Sequence, residues 1–358
     1  VAAPRAFTAA HWQTAASEPL TGDASARKYF RLRAENQTAI LMDASRVPDS
    51  VPPFLRIAAH LRQLGFSTPE ILARDTENSL LLLEDFGDAT FALLLEKNGC
   101  LSPSLPCNGG EGRGEEAQLF PANAPSPQPS PRLGGAREPV SISGDALFTL
   151  ATDVLIALHR QPQAVPENLR AYHPEKMLED IELFVQWRTP QVTALEKEDF
   201  RAAWRTVLPL AQRVPESLLL RDYHVANLML LPAREGIRQA GLLDFQDAYR
   251  GPVTYDLVSL LQDARRDVPE DLQKKLLARY LAAFPSLDRE TFEISLAILA
   301  AQRHTRVLGI FERLARHEGK LDYRRLHSPR VEKLLRQALQ HPILADVKNW
   351  MDRHARTD

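Results

Sequence analysis

Between residues 101 and 140 the chain carries eight prolines and six glycines in 40 positions. That share exceeds the roughly 25–30% at which composition reads as low-complexity. Such a stretch has too little apolar surface to offset the entropy of ordering it. Any packed fold must therefore close around it. The flanks are compatible with that. Residues 88–97 and 145–160 both repeat apolar side chains at spacings of three and four, which predicts two amphipathic helices. The segment 100–144 is thus expected to be a loop between consecutive helices, where added length costs little. Cys100 and Cys107 lie in it or at its edge. Two cysteines supply neither a disulfide framework nor a four-ligand zinc site, and we expect no role for them.

The remainder is rich enough to build a core, with 44% apolar residues in a chain of 358. One large domain or two lobes would fit that length. Lys and Arg number 44 against 46 Asp and Glu, a formal charge of −2. With no polybasic run, neither nucleic acid nor a membrane surface is an expected partner. No stretch approaches the roughly 20 apolar residues of a spanning helix, and the first residues lack the pattern of a signal peptide. The expected location is cytoplasmic and the expected state a monomer.

Periodicity changes along the chain. Residues 29–33, 38–42 and 79–84 alternate or run apolar over strand lengths, and 51–64 reads as a helix closed by Gly65. These place a β-rich lobe in residues 1–84. A hinge and first helix follow at 85–99. After the loop, 145–358 reads as mainly helical, with helices near 175–187, 192–212, 254–266, 269–284, 289–316 and 328–354. Short apolar runs at 218–220, 228–231 and 241–243 read as small strands bracketing polar loops. The expected class is α+β, with two unlike lobes and a ligand cleft between them.

Those polar loops carry the chemistry. The first runs Leu219-Leu220-Arg221-Asp222-Tyr223-His224-Val225-Ala226-Asn227-Leu228, and the second Gly241-Leu242-Leu243-Asp244-Phe245-Gln246-Asp247-Ala248. Phosphoryl transfer needs a carboxylate to take the proton of an attacking hydroxyl. It also needs oxygen ligands to hold Mg2+ against nucleotide phosphates. Two carboxylates and an amide in this order supply both, and no His/Cys set is present for a softer metal.

Asp222-x-His-x-x-Asn227 followed by Asp244-Phe resembles the catalytic and metal loops of the aminoglycoside phosphotransferase-like kinases, relatives of the protein kinases. The longer stretches Arg221-Asp-Tyr-His-x-x-Asn-Leu, Leu243-Asp-Phe-Gln-Asp-Ala and Gly251-Pro-x-x-Tyr-Asp256-Leu-Val-Ser are similar to the bacterial anomeric kinases for N-acetylmuramate and N-acetylglucosamine. Gly22-Asp-Ala-Ser-x-Arg-x-Tyr-Phe-Arg and Arg306-Val-Leu-Gly-Ile-Phe-x-Arg-Leu also match. The resemblance implies a two-lobed, protein-kinase-like fold and transfer from ATP-Mg2+ to a sugar hydroxyl, within cell-wall sugar recycling.

It further implies Asp222 as the catalytic base and Asn227 and Asp244 as Mg2+ ligands. Ser25 would belong to the nucleotide loop, and Glu84, Asp85 and Phe86 to the hinge that meets adenine. His224 and Asp256 are expected to brace the catalytic loop. Asp85-Phe86-Gly87 copies the kinase metal motif, but it precedes the catalytic loop and so fits the hinge. The strand at 38–43 lacks the usual phosphate-binding lysine. Arg27, Lys28, Arg31 and Arg33 are the cations on offer, and Arg31 is the favoured one. Gln246 and Asp247 are expected to reach the sugar. Arg306 and Arg313, seven apart on one helix face, are expected to meet the lactyl carboxylate. A kinase of an aminoglycoside, choline or homoserine, or an inactive nucleotide-binding module, are the alternatives left open by the motifs.

Overall fold

The period of two in the N-terminal third resolves into one antiparallel sheet. The structure, a computed structural model, describes residues 12, 15–20, 26–34, 37–97 and 142–355. Ser25, Cys100, Cys107 and most of the 100–144 loop lie outside the described residues. The sheet comprises β1 (Ala16–Leu20), β2 (Lys28–Ala34), β3 (Gln37–Asp43), β4 (Ile71–Asp75) and β5 (Leu80–Glu84). Their spatial order is β1-β2-β3-β5-β4.

Alternation divides the apolar residues between its faces. Leu80 and Leu82 gather with Trp12, Leu32, Ala39 and Leu41 on one side. Leu81 and Leu83 gather with Met42 on the other. Helix α1 (Val51–Gln63) covers the second side with Val51, Phe54, Ile57, Ala58 and Leu61. The chain leaves α1 through Gly65 at φ +88°, a left-handed turn that a Cβ would strain.

The larger part is helical. It contains α2 (Phe91–Lys97), α3 (Gly144–His159), α4 (Pro174–Trp187), α5 (Ala194–Val207), α6 (Thr254–Leu261), α7 (Glu270–Ala283), α8 (Arg289–His317), α9 (Ser328–Ala338) and α10 (Ala345–His354). Local chemistry fixes the starts. Ser143 caps α3 by accepting from the N–H of Ala146, and Asp288 caps α8 by accepting from that of Thr291. Thr193 and Glu196 form a reciprocal capping box on α5. Two antiparallel strand pairs are embedded among the helices: β6 (Glu216–Leu219) with β9 (Tyr249–Pro252), and β7 (Leu228–Leu230) with β8 (Ala240–Leu242).

Three expected helices are shorter than their periodicity suggested. The run at 328–354 divides into α9 and α10 around a 3-10 turn at Pro342–Leu344, where proline lacks the N–H a continuous helix needs. The run at 192–212 leaves α geometry at Val207 and tightens into a 3-10 segment, Leu208–Arg213, with proline near its start. The run at 254–266 ends at Leu261, followed by a turn in which Asp263 accepts from the N–H of Arg265 at 2.8 Å. Strand β9 was not anticipated, because Gly251 and Pro252 mask its extended character.

Helix α8, with 29 residues, is about 43 Å long. It is the spine of the helical part, and α4 lies close against it. A Cβ on Gly309 would stand 2.5 Å from the Phe184 backbone nitrogen and 2.6 Å from the Leu183 carbonyl carbon. Backbone cannot yield there as a flexible side chain would. Gly309→Ala is therefore expected to destabilise by about 1–3 kcal/mol through overpacking, read as a lower denaturation midpoint.

One apolar cluster runs through both parts. It includes α1, α2, α3 and the residues Val225 and Phe245 of the two polar loops. Phe54 of α1 stacks on Phe245 with ring centroids 5.1 Å apart. Among the described residues no helix is long and apolar enough to cross a membrane.

Candidate active site

Strand register brings the two polar loops together. In the β7–β8 pair Leu228 faces Leu242. Asn227 immediately precedes one strand and Leu243-Asp244 immediately follow the other, so antiparallel pairing sets them at the same end. The Leu243 N–H donates to the Asn227 carbonyl at 3.0 Å. The Asn227 side-chain Nδ2 donates to the Asp222 carbonyl at 2.9 Å. That bond orients the amide, fixing where its Oδ1 lies. Asn227 thus holds its own loop at Asp222 through its carboxamide and the loop bearing Asp244 through its backbone carbonyl.

Both loops are held in unusual backbone conformations. Arg221 has φ +66° and Asp244 φ +57°. Non-glycine residues occupy this region at a cost and do so mainly where surroundings over-determine them. At Arg221 the surroundings are visible. Asp256, in the first turn of α6 and fully buried, accepts from the N–H of Leu220 at 2.6 Å and of Arg221 at 2.9 Å. Ser259 donates to the Arg221 carbonyl at 3.3 Å. Burial pushes the Asp256 carboxyl up to about 7, with the two N–H donors acting the other way.

For Asp222, burial alone would raise the carboxyl. The guanidiniums of Arg306, Arg221 and Arg303 outweigh it and hold the group below its ordinary value. Asp222 is therefore ionised near neutral pH, as a proton acceptor must be. His224 is buried, and burial lowers its pKa and keeps the ring neutral. Its Nε2 lies 3.4 Å from Asn227 Nδ2. This places it inside the loop as a neighbour of Asn227.

Asp244 carries two donors on one oxygen. Arg27 reaches Oδ1 at 2.7 Å and Gln246 Nε2 reaches it at 2.9 Å. Gln246 also donates to Asp247 at 3.1 Å. The glutamine, expected to reach a sugar, is thus buried and supports Asp244. Asp247 is exposed. Among the described residues no cluster of three His, Cys, Asp or Glu forms a complete metal site. An amide and a half-exposed carboxylate are hard oxygen donors that fit a Mg2+ ion whose shell is completed by phosphates and water.

Arg31 does not face these loops. Its guanidinium lies 2.8 Å from Asp85 and 2.7 Å from Asp88, and it donates to the Gly87 carbonyl at 3.0 Å. It is buried and clasps the hinge. Position 31 is on β2, beside the strand that lacks the lysine, but two hinge carboxylates more than 50 residues away capture it. Arg33 pairs with Glu18 at 3.4 Å and Lys28 is exposed. Arg27 is the member of the set found on Asp244. Asp85 also accepts from the Gly87 N–H at 2.9 Å. Glu84 pairs with Arg234, whose guanidinium lies 5.1 Å from the centre of the Phe86 ring. The three side chains thus shape the hinge itself.

Arg306 is brought to the site and Arg313 is not. Arg306 is close enough to Asp222 to hold its carboxyl down, and it lies 3.6 Å from Asp180 and 3.5 Å from the Tyr255 hydroxyl. Arg313 reaches toward Glu318 at 4.0 Å. Seven residues keep the helix face but move about 10 Å along the axis, past the site. Two residues near Asp222 were not singled out by the motifs. Arg303, buried, contributes charge from α8. Asp180, on α4, accepts from Arg221 at 2.7 Å. Neither sits in a motif; their partners come from distant segments.

Comparison with known proteins agrees with this geometry. A 31% identity over 94% of this chain links it to an N-acetylmuramate/N-acetylglucosamine kinase of Caulobacter vibrioides, 91% of which is covered. The enzyme of the same description from Pseudomonas aeruginosa is also 31% identical, over 89% of this chain and 84% of its own. Among solved structures, a choline/ethanolamine kinase family protein from Mesorhizobium loti superposes with a TM-score of 0.56 at 14% identity, covering 94% of this chain and 93% of its own. The choline kinase LicA from Streptococcus pneumoniae gives 0.55 at 13%, over 89% of this chain and 94% of its own. At those identities the likeness is one of fold, and it is the two-lobed kinase-like fold. The profile of the phosphotransferase enzyme family matches residues 17–97 and 138–292, passing over the proline- and glycine-rich stretch. The chain belongs to the phosphotransferase enzyme family.

Proposed function

We propose that this phosphotransferase moves the γ-phosphoryl group of ATP to the anomeric hydroxyl of N-acetylmuramate or N-acetylglucosamine, giving the 1-phosphate and ADP. The observation that supports it most is the bond from Asn227 to the Asp222 carbonyl, at the end of a strand pair whose other strand leads into Asp244. It stands in a chain 31% identical, over nearly its full length, to a relative described as a kinase of these sugars.

Asp222 accepts the hydroxyl proton as the sugar oxygen forms its bond to Pγ and the bond from Pγ to the β-γ bridging oxygen breaks. An anomeric hydroxyl is more acidic than an ordinary alcohol, so an unperturbed or slightly weakened base suffices. Asn227 and Asp244 would hold Mg2+, which supplies neutralisation of phosphate charge. The hinge at 84–86 receives adenine on its backbone. Positioning and fixed charge do most of the work.

Arg27 takes the phosphate-facing duty left open by the missing strand lysine. Arg27→Gln is expected to raise KM for ATP-Mg2+ by about ten- to a hundredfold, the range of a lost charge-assisted hydrogen bond. A KM within twofold of wild type would remove Arg27 from that role. The function itself is tested by an acceptor panel with ATP: the two amino sugars, kanamycin, choline and homoserine, with the product located by its anomeric resonance. Phosphate on carbon 1 of an amino sugar is expected. Transfer to kanamycin, choline or homoserine and to neither sugar would overturn the reading, as would transfer to none.

A further inference from the structure

Behind Asp222 lies a carboxylate that the mechanism above does not use. Asp180 is almost entirely shielded, with its side chain 10% exposed. Its Oδ2 accepts from Arg221 at 2.7 Å and from the Tyr172 hydroxyl at 2.8 Å, and Arg306 stands 3.6 Å away. Lys176 lies 3.0 Å from Oδ1 and is shared with exposed Glu179 at 2.9 Å. The Tyr172 hydroxyl in turn accepts from buried Gln302 of α8 at 3.0 Å.

Two consequences follow from these contacts. Arg221 is the residue before the base, in a left-handed backbone conformation. Its guanidinium sits 5.1 Å from the Tyr172 ring centre and 5.0 Å from that of Tyr249, between two aromatic faces. Asp256 fixes the backbone of this residue, and Asp180 fixes its side chain from another helix. Together they leave the peptide leading into Asp222 no freedom to turn.

Arg306 is held differently. Its contacts at 3.5 and 3.6 Å are longer than good hydrogen bonds. It is 17% exposed, and its charge reaches Asp222. A loosely held guanidinium beside the base is suited to an acceptor that carries its own carboxylate, and Asp180 is the fixed anion that tempers it.

We infer that Asp180 is a positioning and specificity-determining residue: it anchors Arg221, and so the peptide entering Asp222, and it limits the charge that Arg306 offers to an acidic acceptor. This rests on the reading that amino sugars, one acidic and one neutral, are the acceptors.

The test is steady-state kinetics of Asp180→Asn with N-acetylmuramate and N-acetylglucosamine side by side. For both sugars kcat is expected to fall about tenfold or more, since the base loses its placement. KM should separate the two. For the acidic sugar it is expected to fall about three- to tenfold, because Arg306 is less neutralised. For the neutral sugar it should stay within twofold. Loss of fold alone would not lower one KM selectively. An unchanged kcat, or KM values that move together, would overturn the inference. Should the asparagine variant not fold, Asp180→Glu keeps the charge and shifts it by one methylene. It is expected to lower kcat while preserving the wild-type ratio of the two KM values, and an unchanged kcat would count against the anchor. If wild-type protein phosphorylates neither sugar, the acceptor reading fails. The kcat comparison with whichever acceptor the panel identifies then still decides whether Asp180 positions the base.

Discussion

Asp222→Asn is expected to reduce kcat by about a hundred- to ten-thousandfold, the range of a lost general base, while ATP-Mg2+ binds as before. The amide is isosteric and leaves the loop framework in place. Asn227 binds the Asp222 backbone carbonyl, and Asp256 binds the preceding N–H groups. What disappears is an acceptor kept ionised by Arg306, Arg221 and Arg303 against the effect of burial. Rapid-quench turnover and calorimetric titration of nucleotide would read the two halves separately. Turnover within threefold of wild type would show that the proton leaves by another route.

Asp256 should separate stability from activity. Its carboxylate takes both backbone N–H groups at the entrance to the catalytic loop. Each such donor left unsatisfied costs about 1–3 kcal/mol, so Asp256→Ala is expected to lower stability by about 2–6 kcal/mol. Asp256→Asn is the sharper variant. It keeps one acceptor and turns an N–H2 toward the other donor, which harms the loop. It also removes a charge that burial disfavours, as the rise to about 7 records. A folded-state pKa raised above its unfolded value favours the fold most at low pH, and that contribution is lost as pH rises through about 7. The opposing contributions should leave chemical stability within about 1 kcal/mol of wild type at neutral pH. Loop misplacement should cut kcat by about ten- to a hundredfold. Equal losses in the two variants would show that the charge itself, and not its two acceptor oxygens, supports the loop.

The sequence was most informative where chemistry restricts residue type over short distances. Asp222, Asn227 and Asp244 lie in loops whose ends are marked by leucine pairs, and the strands that converge them are short enough for those pairs to reveal. Longer-range electrostatics was the harder part. Arg31 read as a phosphate cation because nothing on its own strand shows that Asp85 and Asp88 will face it. Asp180 is one of several acids on an amphipathic helix, and what sets it apart comes from distant partners such as Arg221, 41 positions away. Arg313 failed by translation along the helix, a distance that facial periodicity does not report. Helix ends at 207, 261 and 338 were set by prolines and local turns whose effect the apolar repeat overran.

The Phe54–Phe245 stack limits how this molecule can admit and discharge its cargo. One ring belongs to the helix behind the sheet, the other follows Asp244 directly in the chain. Swinging the halves widely apart would unstack the pair and wet a continuous apolar seam, at a cost of kilocalories per large ring exposed. Ingress and egress are therefore expected to depend on small rearrangements at the rim of the crevice, with turnover insensitive to solvent viscosity on the scale of whole-lobe swings.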